Sequence, residues 1–364
     1  MILKISAGVR MKLMAGFIAI SLCVPFFYLS SRWAFTNGHN TITPFAFTGM
    51  IDGVHSEHFA ELGTVWKPRV AGLWLSAECI RIFQPQTLEQ YQDVFGAYNM
   101  AWFGLTLGLL IVVLPEPVFA MMAVFAGTVY AISVTTYNSF NDDVHILPWD
   151  FPAMFFWTLA FILWQRKHFK AMVIVIIIGT LFKESVALLA VLLFFNHENI
   201  DLRWTACDRH PVLCAVRALV SLRAVKLFGA AFAGCLAVKL FITQLVLGQP
   251  TIFTAGHSAE NSVWASTARF LKWELHPHLN TILWANGGLT LAVFFLPLKS
   301  LEDRGIRFLL VCFYFFLTVT PIIDKSCYEV RHWTDCLPML AIYFQRRTSA
   351  WALRSSGEAQ GGNE

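Results

Sequence analysis

Lys183 and Glu184 stand side by side in the apolar run IIIGTLFKESVALLAVLLFF, Ile176 to Phe195. A charge at bilayer depth costs roughly 2.5 to 3.5 kcal/mol on insertion scales, so such residues normally face a partner or a water-filled cavity. Adjacent residues of a helix do not face one another. A simple Lys183–Glu184 bridge is therefore disfavoured against separate partners, the alternative being an ion pair snorkelling to the surface. Elsewhere, MIDGVHSEHFAEL sets Asp52, His55 and His58 at a spacing of three, which is one side of a helix if the segment is helical. A carboxylate beside imidazoles suits general-base work or metal ligation, and equally a solvated juxtamembrane helix.

Further cations and carboxylates follow the same pattern of polar groups beside apolar runs. In WKPRVAGLWLSAECIRIF, Lys67 and Arg69 flank Pro68 ahead of an apolar segment too short for a full crossing. They suit charge-assisted hydrogen bonds to a lipid phosphate, or plain anchoring to anionic headgroups. Asp150, in WDFP, sits at a helix start, where a carboxylate can serve as a cap. In CYEVRHWTDCLP, Glu329, Arg331, His332 and Asp335 gather at the mouth of the last apolar run. Arg331 there either completes a salt-bridge network or binds phosphate bidentately.

The elements that must position these residues are membrane helices. The 364-residue chain is 57% hydrophobic and 14% charged, with a mean hydropathy of +0.58, values that exclude an ordinary soluble domain. A net charge of +4 from 27 dispersed Lys and Arg gives no nucleic-acid surface. The eight cysteines form no CxxC pair and mostly lie in apolar segments, so neither a metal cluster nor a disulfide framework is implied.

Measured against the ~20 residues a span requires, full crossings are expected near 13–31, 94–114, 117–135, 151–164, 227–247, 279–298, 308–323 and 329–345. The basic segments at the N-terminus, 165–170, 203–226, 299–307 and 345–347 take the cytoplasmic side by the positive-inside rule. Segments 165–170 and 203–226 both belong inside, so the run 171–196 crosses an even number of times or not at all. Its halves, twelve residues to Phe182 and ten from Val186, are too short for a ~30 Å core. The expectation is a broken or short helix pair meeting at Lys183–Glu184, either crossing twice or re-entrant.

The fold class is therefore all-α and polytopic, with about eight full transmembrane helices plus the broken pair and interfacial helices in the first outer loop, 32–93. Residues 1–347 form a single transmembrane domain. The end, 348–364, TSAWALRSSGEAQGGNE from Thr348 on, has the composition of a disordered cytoplasmic tail. With both termini cytoplasmic, nearly every polar group of chemical interest falls on the extracytoplasmic face.

Taken in order, the acidic residue of the first outer loop, KPR, WDFP, GTLFKES and YEVRHWTDCLP resemble bacterial members of the GT-C superfamily of polytopic glycosyltransferases, which use polyprenyl-phosphate sugars. The resemblance implies a GT-C-like fold in the bacterial inner membrane and inverting transfer to an extracytoplasmic glycan or lipid-linked acceptor. It implies Asp52 as the base on the acceptor hydroxyl, with His55 as a second base or phosphate donor. Arg69, Lys183 and Arg331 would hold the donor phosphate, and Glu184 and Glu329 would orient those cations. No organic cofactor is implied, and a divalent metal stays open. The chain departs from other members in having Asp-Gly at residue 52 instead of a paired acidic motif, and in having no large soluble C-terminal domain. The rival readings are a transporter or flippase, which would favour an internal repeat that is not apparent here, and a polysaccharide polymerase or ligase.

Overall fold

A computed structural model of the chain describes residues 6–36, 69–138, 149–195, 222–246, 289–297, 300–324 and 334–361. Among these the regular structure is entirely helical, with no strand. In chain order the α-helices are α1 (Ala7–Thr36), α2 (Val70–Phe83), α3 (Leu88–Val113), α4 (Pro117–Asn138), α5 (Asp150–Gln165) and α6 (Phe169–Thr180). A 3-10 helix (Glu184–Phe195) comes next, followed by α7 (Leu222–Leu240) with a π-helical turn (Phe241–Val246), α8 (Leu289–Phe295), α9 (Leu301–Asp324) and α10 (Leu337–Gly361).

Local chemistry explains several boundaries. Thr87 caps α3 by accepting from the Gln90 backbone N at 3.3 Å, while Gln90 Oε1 accepts from Gln86 N at 2.6 Å, a near variant of the capping box. At the end of α5, His168 N donates to Leu163 O at 2.9 Å and Lys167 N to Trp164 O at 3.0 Å. These are the two bonds of a Schellman motif, and they put Lys167 in the left-handed region at φ 61°, a place usually taken by glycine. The last helix runs on to Gly361, through residues whose composition suggests a disordered tail. Extending an existing helix adds one bond per residue fixed, and Ala352, Leu353 and Arg354 are good helix formers, so propagation prevails over the Ser- and Gly-bearing composition.

The helix α5 is the axis of the bundle. Twelve of its residues are buried, among them Trp157, Ala160 and Phe161 at 0% exposure, as expected of a helix apolar on all sides. It packs against α3, α6, the 3-10 helix and α10, while α1 lies on α3 and α4, α7 on α6, and α9 on the 3-10 helix. Aromatic edges close the joints: Trp102 and Phe156 lie 5.4 and 5.1 Å from Phe182, and Trp157 lies 5.1 Å from Phe313.

The outside of the bundle carries many large apolar side chains. Phe17, Phe119, Phe232 and Phe315 are among the large side chains left exposed, an extent of uncovered apolar surface that marks contact with membrane or protein. Among the described residues, two helices are long and apolar enough to cross a membrane, over Ala7–Leu29 and Glu89–Val113. Only 17% of the first is buried against the rest of the chain.

The described part of the run 171–196, up to Phe195, forms a hairpin. The helix α6 ends at Thr180, where Leu181 N bonds Ile178 O and both Phe182 N and Lys183 N bond Gly179 O. The 3-10 helix starts at Glu184, so the break falls at Leu181–Lys183, and α6, at twelve residues, is about 18 Å long. Phe195 at the end of the return lines the same cleft as Phe169 at the start of α6, so the run enters and leaves at one end. A twelve-residue 3-10 helix is unusually long, and no residue type in that stretch favours it over an α-helix. Gly179 permits the close return: a Cβ there would lie 2.6 Å from Val186 Cγ1 and 2.9 Å from Phe156 Cβ. Gly179→Val is therefore expected to destabilise by about 1 to 3 kcal/mol through overpacking. Thermal denaturation of the purified protein in detergent checks this.

At the same end of the bundle as that cleft, a second polar network closes α9 and α10. Ser300 and Asp303 cap each other reciprocally, Ser300 N to Asp303 Oδ2 at 2.8 Å and Asp303 N to Ser300 Oγ at 3.1 Å. Asp303 Oδ1 also accepts from Tyr343 Oη at 2.6 Å and from Arg347. Removing a carboxylate that serves a cap and two further donors is expected to lower stability by roughly 1 to 3 kcal/mol. Asp303→Ala should therefore melt well below Tyr343→Phe, which removes the hydroxyl's bonds to Asp303 and Arg347 but leaves the Ser300 cap and the Arg347–Asp303 contact in place; equal melting points would contradict the shared role.

Candidate functional site

At the opposite end of the α6 hairpin, charged side chains from five segments converge. The turn that ends α6 is joined to the start of α2, where Ala71 N donates to Leu181 O at 3.2 Å, one orphan helix-end donor satisfying one orphan acceptor. This bond brings Arg69, the residue before α2, to the hairpin tip. Arg69 Nε donates to Glu184 Oε2 at 3.2 Å, and its guanidinium lies over the Trp149 ring, 5.0 Å from the centroid. From α7, Lys239 Nζ reaches the other oxygen, Glu184 Oε1, at 3.4 Å.

Lys183 turns the other way. Its Nζ lies 3.1 Å from Asp150 Oδ1 and 3.0 Å from Asp335 Oδ1, and Ser185 Oγ donates to Asp335 Oδ2 at 2.7 Å. The two adjacent charges thus have separate partners, each drawn from distant segments. Asp150 does not cap α5 through its side chain; Trp149 holds the cap position without a side-chain bond, and the carboxylate is engaged by Lys183 instead. Nearby, Thr180 Oγ1 and Cys235 Sγ, 3.2 Å apart, link α6 to α7.

The cluster has two layers. Lys183, Asp150 and Asp335 are sealed, with side-chain exposures of 3%, 7% and 0%. Arg69, Lys239 and Glu184 form a rim at 13%, 24% and 29%. Burying ions is unfavourable unless they are matched and hydrogen-bonded; in the inner layer one ammonium lies between two carboxylates, a formal charge of −1 that the rim above offsets, and Ser185 Oγ donates to Asp335 as well. In the rim, two cations share one carboxylate, which leaves a positive charge in excess among those three. No family model, curated protein or solved structure matches the chain.

Of the residues that sequence singles out, Arg69, Lys183 and Glu184 come together here. Asp52, His55, Glu329 and Arg331 lie outside the described residues, as does His332. Sequence reasoning gave no role to Lys239, Ser185 or Trp149, and placed Asp335 only at a helix mouth. Lys239 had a legible signal: it is the only charge within the run 227–247, and such a charge requires a partner.

Among the described residues no group of three or more His, Cys, Asp or Glu side chains is placed to hold a metal ion. Asp150 and Asp335 do converge, and the Lys183 ammonium occupies the position between them. What the arrangement offers chemically is a partly accessible, net-positive rim on a rigid, sealed base. The rim's two cations come from different segments, and an aromatic face lies beneath one of them. Such a surface suits an anion whose charge must be held or increased.

Proposed function

We propose that the chain is a multi-pass glycosyltransferase of the bacterial inner membrane. On this reading it moves a sugar from a polyprenyl-phosphate donor to an extracytoplasmic glycan or lipid-linked acceptor. The observation that carries the proposal is the layered charge cluster at one end of a bundle whose exterior is apolar, with Arg69 and Lys239 at its rim. The opposite end joins residues 12, 112, 165, 302–303 and 347 by hydrogen bonds. Apart from 112, which Lys12 of the N-terminal basic segment contacts, these belong to the basic segments that the positive-inside rule assigns to the cytoplasm, so on this reading the cluster faces the other side, where a lipid-linked donor presents its phosphate.

In this mechanism the acceptor hydroxyl oxygen attacks the anomeric carbon and the bond from that carbon to the phosphate oxygen breaks with inversion. The proton passes to the Asp52 carboxylate, and polyprenyl phosphate leaves with the bonding electrons. Arg69 and Lys239 stabilise the charge gathering on the departing phosphate, a role given on this reading to Arg331 as well. Glu184 fixes both rim cations. Lys183, held between Asp150 and Asp335, locks the base of the site beneath the rim. His55 serves as a second base or phosphate donor, and Glu329 shares with Glu184 the role of orienting the cations. A divalent metal at Asp52 and His55 is compatible with this scheme but forms no part of it.

A second reading draws on the hairpin: broken helices carrying charges at depth also form the substrate sites of transporters. Lipid-linked glycan analysis separates the two. In a strain lacking the gene, a glycan missing one sugar should accumulate, corrected by the wild-type gene and not by Asp52→Asn. An unchanged glycan profile, with loss of uptake or flipping of a lipid-linked substrate, would sink the transferase and favour transport.

A further inference from the structure

We propose that the cleft at the basic end of the bundle binds the phosphate headgroup of an acidic membrane phospholipid, held between Lys167 and Arg346 over Trp164 and Phe169. The inference rests on the membrane embedding argued above and is independent of the reaction. The cleft has a volume of about 80 Å³, and Phe195 and Glu302 also line it. One water requires roughly 10 to 15 Å³ on the same measure, so the space holds several waters or one tetrahedral phosphate, and no nucleotide.

Three features distinguish it from the dispersed charges that set topology. First, among the described residues neither Lys167 nor Arg346 has an ion-pair partner, and the carboxylate of the cleft, Glu302, accepts from Gln165 Nε2 at 2.6 Å. Second, Gln165 Oε1, buried in the same wall, has no hydrogen-bond donor, and the hydroxyls of a glycerol-type headgroup supply one. Third, Lys167 is held at φ 61°, where glycine would be unstrained, and a strained residue retained beside a cleft points to a use for its side chain. The lip is apolar: the Phe195 ring lies 5.5 Å from that of Phe308, which is 38% exposed, so an acyl chain can leave the cleft along α9. Basic pockets between membrane helices on the cytoplasmic side have this character.

The test is native mass spectrometry of the purified full chain titrated with phosphatidylglycerol, phosphatidylcholine or inorganic phosphate. One phosphatidylglycerol per chain should be retained, and phosphatidylcholine should not. Lys167→Gln with Arg346→Gln should weaken retention roughly thirtyfold, from about fivefold per surface cation. Arg166→Gln with Lys170→Gln, which removes exposed cations of the same link, should leave it unchanged. Lys167→Gly should melt no lower than wild type and still lose lipid, which separates binding from folding. Equal losses in both double variants, or wild-type retention in the first, would overturn the site. Competition by inorganic phosphate at concentrations equal to the lipid would reassign it to a free anion.

Discussion

Lys183→Ala is expected to yield little or no monodisperse protein. The substitution leaves Asp150 and Asp335, 7% and 0% exposed, without the ammonium that lies 3.1 and 3.0 Å away. Removing one partner of a buried ion pair costs about 3 to 5 kcal/mol, a large share of the roughly 5 to 15 kcal/mol by which a domain is stable. The loss should reverse in part when both carboxylates are neutralised as well. Lys183→Met with Asp150→Asn and Asp335→Asn should recover most of the melting temperature, because apolar or neutral replacements of a whole buried ionic group are often tolerated. Scanning fluorimetry in detergent on the single and triple variants checks both statements. A single variant melting within about two degrees of wild type would mean that the inner layer does not hold the bundle together, against the cost expected for an orphaned buried charge.

Arg69→Ala should behave in the opposite sense, with the fold kept and the reaction lost. Arg69 belongs to the partly exposed rim, and Glu184 retains Lys239 at 3.4 Å when Arg69 is gone, so the effect on stability should stay below about 1 kcal/mol. Loss of a cation aimed at a leaving phosphate is expected to slow transfer by roughly 10² to 10³. Arg69→Lys should recover only part of this, since an ammonium cannot reproduce the planar fork or its stacking on Trp149. Rates of polyprenyl-phosphate release in vesicles, read beside melting temperatures, separate the two contributions. A large fall in melting temperature with Arg69→Ala would recast the rim as structural.

The parts of this fold that depend on local pattern were legible in the sequence. The all-helical, apolar character follows from composition; of the eight full crossings expected from run length, two of the described helices are long and apolar enough to span a membrane. The hairpin follows from two halves too short to cross, with basic segments on both sides, and its break falls within a residue or two of the charges that raised the question. What was not legible depends on contacts distant in sequence. Asp150 has the appearance of a helix cap because its neighbours Trp149 and Phe151–Pro152 are those of a helix start, yet its partner is 33 residues away and shared with a residue 152 positions further on. Pairings of that range leave no periodic trace. The 3-10 geometry of Glu184–Phe195 has no compositional signal, because its Val, Leu and Ala content suits an α-helix equally well. The continuation of α10 to Gly361 shows the converse, where a long preceding helix outweighs a tail composition.

The same layering bears on how the site is kept in shape. The sealed triad joins α5, the hairpin tip and the segment entering α10, while the rim joins α2 and α7 to that tip through Glu184. A site built on rigid elements in this way positions its accessible cations without depending on loop geometry. Glu184 is the hinge of the arrangement, since both of its oxygens are used.

The most direct test of the central claim is transfer by the purified protein in vesicles. Labelled polyprenyl-phosphate sugar is supplied with a membrane glycan extract, and wild type is compared with Arg69→Ala and Asp52→Asn. Label moving to the glycan with wild type, and falling roughly a hundredfold or more in both variants while their melting temperatures hold, is the predicted result. Label that stays on the polyprenyl phosphate with wild type across glycan extracts, or transfer that proceeds undiminished in both variants, would contradict it.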